Sequence, residues 1–301
     1  MAQREINRFA ELETFVRVVE LGGFSPAARA ARMTPSAVSK LIARLEARLG
    51  TRLVNRSTRK LQLTPEGQGF YERAQRILAD LADAESVATG GETPTGRLRI
   101  NTSASFGTHV LVPLVPRFLD RFPGISLELH HTDAMVDLVA EGIDVAVRAG
   151  PLKSSSLIAR KLGTTTLMLV AAPDYLARHG TPRTVADLAT HLRLGFTYKR
   201  ATESWPLVDD RARTMLPPGG RLLASDGESL RHLAVAGAGI ARMAGFTVAA
   251  DLAAGRLVRV MGESDPEDRE DFYAVYVGQG GPLPARVRAL LDFLAAEARL
   301  D

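Results

Sequence analysis

Apolar residues near the N-terminus recur at helical spacing. Phe9, Leu12, Phe15, Val16 and Val19 follow Asn7, a capping residue, and Gly22-Gly23 closes the run, which predicts a first helix. The stretch 24–50 predicts two short helices and a turn. Ser25 is placed to cap the first, with Pro26 at its first helical position. Thr34 and Pro35 repeat the arrangement for the second, and Gly50 suits the position just past its end. At about 100° per residue, Val38, Leu41, Ile42, Leu45 and Leu49 share one side of the second helix. Ser36, Ser39, Lys40, Ala43, Arg44 and Ala47 share the other. That outer side carries small residues, hydroxyls and two cations but no acid, which suits a helix laid into a DNA major groove. It suits a solvated face on an ordinary helical domain as well.

Residues 52–63 read as a short hairpin, apolar at both ends and cationic at the tip. Arg56, Arg59 and Lys60 there form either a wing that reaches phosphates or the minor groove, or a basic tip that serves solubility alone. Thr64-Pro65 opens a long helix to about Thr89. Phe70, Ala74, Ile77, Leu81, Ala84 and Ala88 alternate steps of four and three along it, a heptad seam. The seam fits pairing with a second copy of the chain, or packing on its own domain. Residues 90–96 then read as a linker rich in glycine.

Beyond the linker, strand-like and helix-like patterns alternate. Strands are expected at 98–100, 126–129 and 144–148, with helices at 110–121 and 134–141 between them. A second round follows: a strand at 167–171, helical pieces at 173–177 and 185–190, and strands at 192–196 and 222–224. It continues with a helix at 228–235, strands at 240–243, 257–260 and 272–277, and a final helix at 284–298. This rhythm predicts parallel sheet covered by helices, in two α/β lobes.

Charge changes the picture more than composition does. Apolar residues make up 46% and charged residues 24% of the 301, as in globular proteins generally. There is no cysteine, so disulfides, thiolate metal sites and cysteine nucleophiles are excluded. No secretory signal and no apolar run long enough to span a membrane is legible, which leads to an expected cytoplasmic location. Net charge is +4 overall, but residues 1–65 hold 12 Lys/Arg against 5 Asp/Glu, or +7, leaving 26 against 29, or −3. A positive field confined to the helical segment points to a polyanion bound there.

Candidate ligand chemistry is sparser. Thr102-Ser103-Ala104-Ser105 lies between a strand and a helix, where free N–H groups and hydroxyls favour an anionic group, although Ser103 or Ser105 could simply cap the helix. Thr132 and Arg148 end neighbouring strands and would flank the same cleft. Phe196 and Ser225-Asp226 hold the corresponding ends in the second lobe. Catalysis finds little support. Gly237-Ala238-Gly239 lacks the third glycine of a dinucleotide fingerprint and precedes a strand, no Gly-x-Ser-x-Gly elbow occurs, and the six histidines show no metal-ligand spacing. A transport-type solute-binding protein is the other rival, and the basic N-terminal unit counts against it.

The first 67 residues closely resemble the winged helix-turn-helix of LysR-type transcriptional regulators. The resemblance rests on Ser25-Pro26-Ala27-Ala28, Thr34-Pro35-Ser36-Ala37-Val38-Ser39, Leu45-Glu46-Ala47-Arg48-Leu49-Gly50, Arg52-Leu53-Val54-Asn55-Arg56 and Leu63-Thr64-Pro65-Glu66-Gly67. Looser markers follow at 96–100, 138–146, 236–240 and 251–258, so the likeness covers essentially the whole chain. It implies an all-α winged helix-turn-helix domain over 1–65, a dimerisation helix over 66–89 and a hinge over 90–96. It further implies an α/β, two-lobed, periplasmic-binding-protein-like effector domain over 97–301, with lobe I at 97–160 and 270–301 and lobe II at 161–269. The chain would cross between lobes near 159–163 and 266–271.

The implied partners are a double-stranded DNA operator, a small-molecule effector, anionic if the 102–105 loop takes it, further copies of the chain in a homodimer or homotetramer, and RNA polymerase. No cofactor or metal is implied. By position, Pro35, Ser36, Ser39 and Lys40 match base-reading sites and Arg56 the wing arginine, with Ser25, Thr34, Arg44, Thr58 and Arg59 as further DNA contacts. The family often carries glutamine where Pro35 and Leu41 stand. Specificity is therefore expected to rest on Ser39, Lys40, Arg44 and DNA shape.

Overall fold

The computed structural model describes residues 7–56, 61–88, 94–152, 157–198, 204–209, 212–219, 221–262, 268–278 and 283–300. The chain divides into two compact units, Met1–Glu92 and Thr93–Asp301.

In the first unit, α1 (Arg8–Glu20) is capped by Asn7, whose side chain accepts the Ala10 N–H. Leu12, Phe15, Val16 and Val18 are its buried apolar residues. Phe9 is 52% exposed, and Val18 takes the inward position expected of Val19. Helix α2 (Phe24–Ala30) begins one residue before Ser25, with Gly23 at its cap and no side-chain cap bond. Ser25 is thus an exposed residue inside the first turn and not its cap. The turn to α3 (Pro35–Leu49) passes through Arg32 at φ 53°, a left-handed conformation that a side chain disfavours. Thr34 accepts the Ala37 N–H at 3.2 Å, Pro35 opens the helix and Gly50 closes it at φ 69°, as the sequence pattern predicts.

Val38, Ile42 and Leu45 join Phe15, Val18, Ala27, Ala28, Leu53 and Val54 in one core. Each of the larger side chains among them contributes roughly 1.5–3 kcal/mol by leaving water, and each alanine less. Leu41 is half-buried and Leu49 exposed, so the inward stripe is narrower than expected. Strands β1 (Val54–Arg56) and β2 (Leu61–Leu63) pair antiparallel, Val54 opposite Leu63, giving the base of the predicted wing. Helix α4 (Pro65–Ala88) has 24 residues, about 36 Å at 1.5 Å per residue. Its seam divides: Phe70 and Ala74 pack with Tyr71 and Leu78 on Leu12 and Val16 of α1, while Ile77 is 49% exposed.

In the second unit, β3 (Gly96–Thr102) leads through α5 (Ala104–Phe106) and a π turn (Gly107–Leu111) into α6 (Val112–Arg121). The helical run therefore begins six residues before the expected start, because Ser103 caps it. The π turn directly precedes Pro113 and Pro116, whose rings conflict with carbonyls four residues back. Next come β4 (Ile125–His131), α7 (Leu138–Glu141) and β5 (Val145–Ala149). Helix α7 is half the expected length because Asp137 accepts the Val139 and Ala140 N–H groups and starts it late.

Strand β6 (Leu157–Ala171) is 15 residues long, where a short strand was expected. The second lobe then adds α8 (Pro173–His179), α9 (Val185–Thr190), β7 (Gly195–Phe196), β8 (Trp205–Asp209) and β9 (Ala212–Leu216). It continues with β10 (Leu223–Ala224), α10 (Gly227–Val235), β11 (Ala241–Ala244), α11 (Gly245–Ala253) and β12 (Val258–Arg259). Strand β13 (Asp268–Val277) returns to the first lobe, where α12 (Ala285–Glu297) ends the fold.

One sheet in the order β11-β6-β13-β5-β3-β4, with β12 also on β6, runs through both lobes. Strands β3, β4 and β5 are parallel, and β6 and β13 are antiparallel over their length. One core forms on Leu98, Ile100, Phe106, Phe118, Leu290 and Leu294, the other on Leu169, Leu188, Leu194, Leu207, Leu230 and Ile240. The architecture is that of a two-lobed α/β domain whose first lobe is discontinuous in sequence.

Candidate nucleic-acid interface and effector cleft

The outward side of α3 is free of the core. Pro35, Ser36, Lys40, Ala43, Arg44 and Ala47 are exposed, Ser39 is half-buried, and Thr34 and Ser25 are exposed beside them. Two contacts not anticipated from the residue pattern fix this helix. Glu11, almost fully buried on α1, accepts from Arg48 Nε and Nη2 at 3.1 and 2.9 Å. Glu46 accepts the Leu53 and Val54 N–H groups at 2.8 and 3.1 Å and so anchors the wing to α3. Of these three acidic and basic residues, Glu46 and Arg48 stand in the motif around Gly50, which offered a signal, and Glu11 does not. The backbone of Arg56 ends β1, but its side chain, like Thr58 and Arg59, lies outside the described residues.

In the second unit, most of the expected cleft residues lie at the carboxyl ends of β3, β4 and β5, as the pattern requires. Thr102 is fully buried, Ser103 caps α5 by accepting the Phe106 N–H at 3.4 Å, and Thr132 accepts from Ala134 N–H. The Ala104 N–H, which would meet an anionic effector group, donates to Asp133 Oδ1 at 3.0 Å. Arg148 donates to Val147 O and Asn101 Oδ1. Burial lowers its proton affinity, and the charges of Asp133 and Glu141 offset part of that effect.

From the second lobe, Phe196 packs on Tyr198 with the rings tilted by 43° and their centroids 5.0 Å apart. Asp226 is engaged as the cap of α10, accepting from Ser229 N–H and Oγ–H. Burial pushes the Asp226 carboxyl up, yet these bonds outweigh it and hold the group below its ordinary range.

Three approaches tie the lobes across the cleft, and none was read from the sequence. Tyr198 O–H donates to Asp133 Oδ2 at 2.9 Å, His109 Nε2 lies 2.7 Å from Glu228 Oε1, and Ser105 Oγ rests against Gly227, where a Cβ would sit 2.4 Å away. A separate depression between α8 and the end of α10 is lined by Asp174, Ala177, Arg178, Val235, Ala236 and Gly237 and contains no residue expected at the ligand site. Among the described residues no cluster of three potential metal ligands occurs, and no helix is long and apolar enough to cross a membrane.

A winged helical unit with a helix whose exposed side carries no acid, followed by a two-lobed α/β unit, defines a transcriptional regulator with a DNA-binding and an effector-binding domain. Residues 9–68 match the bacterial regulatory helix-turn-helix family of LysR type, and residues 91–299 match the LysR substrate binding domain. The chain belongs to the LysR family of transcriptional regulators, whose members are regulators and not enzymes, bind DNA and small-molecule effectors, and form oligomers.

It is 40% identical over 289 residues to the transcriptional regulator CrgA of Neisseria meningitidis serogroup C, covering 95% of this chain and 96% of that protein. It is 34% identical over 292 residues to the transcriptional activator AaeR of Escherichia coli K12, covering 96% and 93%. The solved structure of Neisseria meningitidis CrgA aligns with a TM-score of 0.64 at 39% identity over 96% of this chain and 98% of that one. Full-length AphB, a virulence activator of Vibrio cholerae, aligns at 0.59 and 29% identity over 97% and 100%.

Proposed function

We propose that two copies of this chain place α3 in successive major grooves about 34 Å apart, so that the operator is an interrupted inverted repeat. The observation that carries the reading is the exposed side of α3, with Ser36, Ser39, Lys40 and Arg44 and no acid. Pro35 and Thr34 set the start of that helix, Ser25 flanks it, and Arg56, Thr58 and Arg59 supply the wing contacts to the backbone.

Residues 1–65 act as the DNA-binding domain, 66–89 as the dimerisation helix and 90–96 as the hinge. Lobes 97–160 with 270–301, and 161–269, hold a small-molecule effector between them. The effector favours one arrangement of a dimer or tetramer and shifts it only by its differential affinity for the two arrangements. The regulator works in the cytoplasm, where RNA polymerase is the further partner. Footprinting on the intergenic DNA next to the reading frame tests this. Lys40→Ala should abolish the specific footprint while the unfolding transition stays in place; an unchanged footprint overturns the role of Lys40, and no preference for any genomic fragment over bulk competitor overturns the whole reading.

A further inference from the structure

The cleft already contains a carboxylate. Asp133 follows β4 and reaches the start of the helical run that begins at Ala104, where its Oδ1 accepts the Ala104 N–H at 3.0 Å. Its Oδ2 accepts the Tyr198 hydroxyl at 2.9 Å from the opposite lobe. The Arg148 guanidinium, on the neighbouring strand β5, supplies the compensating positive charge. A backbone donor at a helix start, a phenol and a guanidinium are the groups a protein assembles around a bound carboxylate.

One polar group at this place is left over. Ser105, 9% exposed, has a buried Oγ with no hydrogen-bond partner among the described residues, although it lies in the same turn and faces Gly227 of the other lobe. A buried hydroxyl without a partner is costly, and a ligand seated beside it would satisfy it.

We propose that Asp133 is the resident occupant of the anion position in the interlobe cleft and sets the effector's charge, turning away carboxylates in favour of uncharged ligands that hydrogen-bond Ser105. This rests on reading the cleft as the effector site. A second carboxylate brought beside Asp133 would face its charge at short range, and the Arg148 charge is already shared with Asp133 and Glu141. An uncharged ligand meets no such opposition.

Acetate complementation of the full-length protein tests the assignment. Asp133→Ala vacates the donor set, whereas Asp133→Asn removes the charge but keeps the space filled. Thermal unfolding is followed against acetate, against acetamide, and against chloride at equal ionic strength. Asp133→Ala should be stabilised saturably by acetate, with an apparent affinity at least tenfold tighter than in wild type or Asp133→Asn, and acetamide should not substitute.

Equal responses to acetate and chloride in Asp133→Ala, or wild type responding as strongly as the variant, would overturn the proposal. If Asp133→Ala does not fold in chloride, refolding yield in acetate against chloride is the measurement, and equal yields overturn it. Binding of intergenic DNA by the same preparations separates the two levels of inference, since its loss from wild type speaks against the regulator reading and leaves the acetate comparison intact.

Discussion

Asp251→Ala should destabilise the second unit by about 4 kcal/mol, the middle of the range for breaking a buried ion pair. The Asp251 side chain is fully buried on α11 and accepts from Arg231 Nε and Nη2 at 2.6 and 3.1 Å and from Arg256 Nε at 2.7 Å. Burial pushes the carboxyl up, but the hydrogen bonds from Arg231 and Arg256 outweigh it and keep it below the ordinary range, so the network is ionised at neutral pH. Alanine would leave Arg231, itself mostly buried, with Glu228 at 3.4 Å as its remaining acidic partner among the described residues. The better helix propensity of alanine returns only about 0.5 kcal/mol.

Because Arg256 is half exposed, Arg256→Ala should cost only about 1 kcal/mol or less. Differential scanning calorimetry reads the difference directly. At roughly 2–4 °C per kcal/mol for a unit of this size, Asp251→Ala should lower its midpoint by about 8–16 °C and leave the DNA-binding unit's transition in place. A loss under about 1 kcal/mol, or Arg256→Ala costing as much as Asp251→Ala, would refute the reasoning.

Gly67→Ala would bring a Cβ to 2.0 Å from Leu53 O. The backbone between wing and α4 must then shift at a cost of about 3 kcal/mol, read by chemical denaturation. Thr34→Ala should cost about 1 kcal/mol through loss of its cap bond, whereas Ser25→Ala, at a position that caps nothing, should be neutral within about 0.5 kcal/mol. Asp271, held at about 2 against an ordinary 3.8 by hydrogen bonds from Lys161, Thr164 and Tyr273, contributes stability that is complete above pH 4 and lost as pH falls toward 2. Acid titration of Asp271→Asn should therefore show a flatter limb in that window, and an unaltered limb would remove Asp271 from the acid transition.

The DNA-binding unit was largely legible in the sequence because its elements are locally determined. Thr34, Pro35, Gly50 and the spacing of Val38, Ile42 and Leu45 each act within a few residues. Ser25 misled because Gly23 and Phe24 already carry the helix start, so the hydroxyl is free of any cap bond. In the second unit, the helix over Gly245–Ala253 and the hairpin of Trp205–Asp209 and Ala212–Leu216 went unread. The helix is apolar without a strong stripe, and the hairpin owes its place to Trp205 and Leu207 in a core assembled from distant segments. The cleft contacts were hidden for a related reason. Asp133 and Tyr198 are 65 residues apart and His109 and Glu228 are 119 apart, and no local pattern joins them.

The shared sheet has a mechanical consequence. Strands β6 and β13 pair from Leu157 opposite Val277 to Leu167 opposite Asp268, and the register slips between Phe272 and Tyr273, leaving Leu162 as the extra residue. Relative movement of the lobes that keeps this ladder must bend or twist the paired strands together, because separating them would break its hydrogen bonds. A bulge is where a strand pair most readily takes up added twist. If an effector moves the lobes, the motion expected of this ladder is a change of twist centred on Leu162. Amide exchange along β6 should stay slow on both sides of that residue in every ligation state.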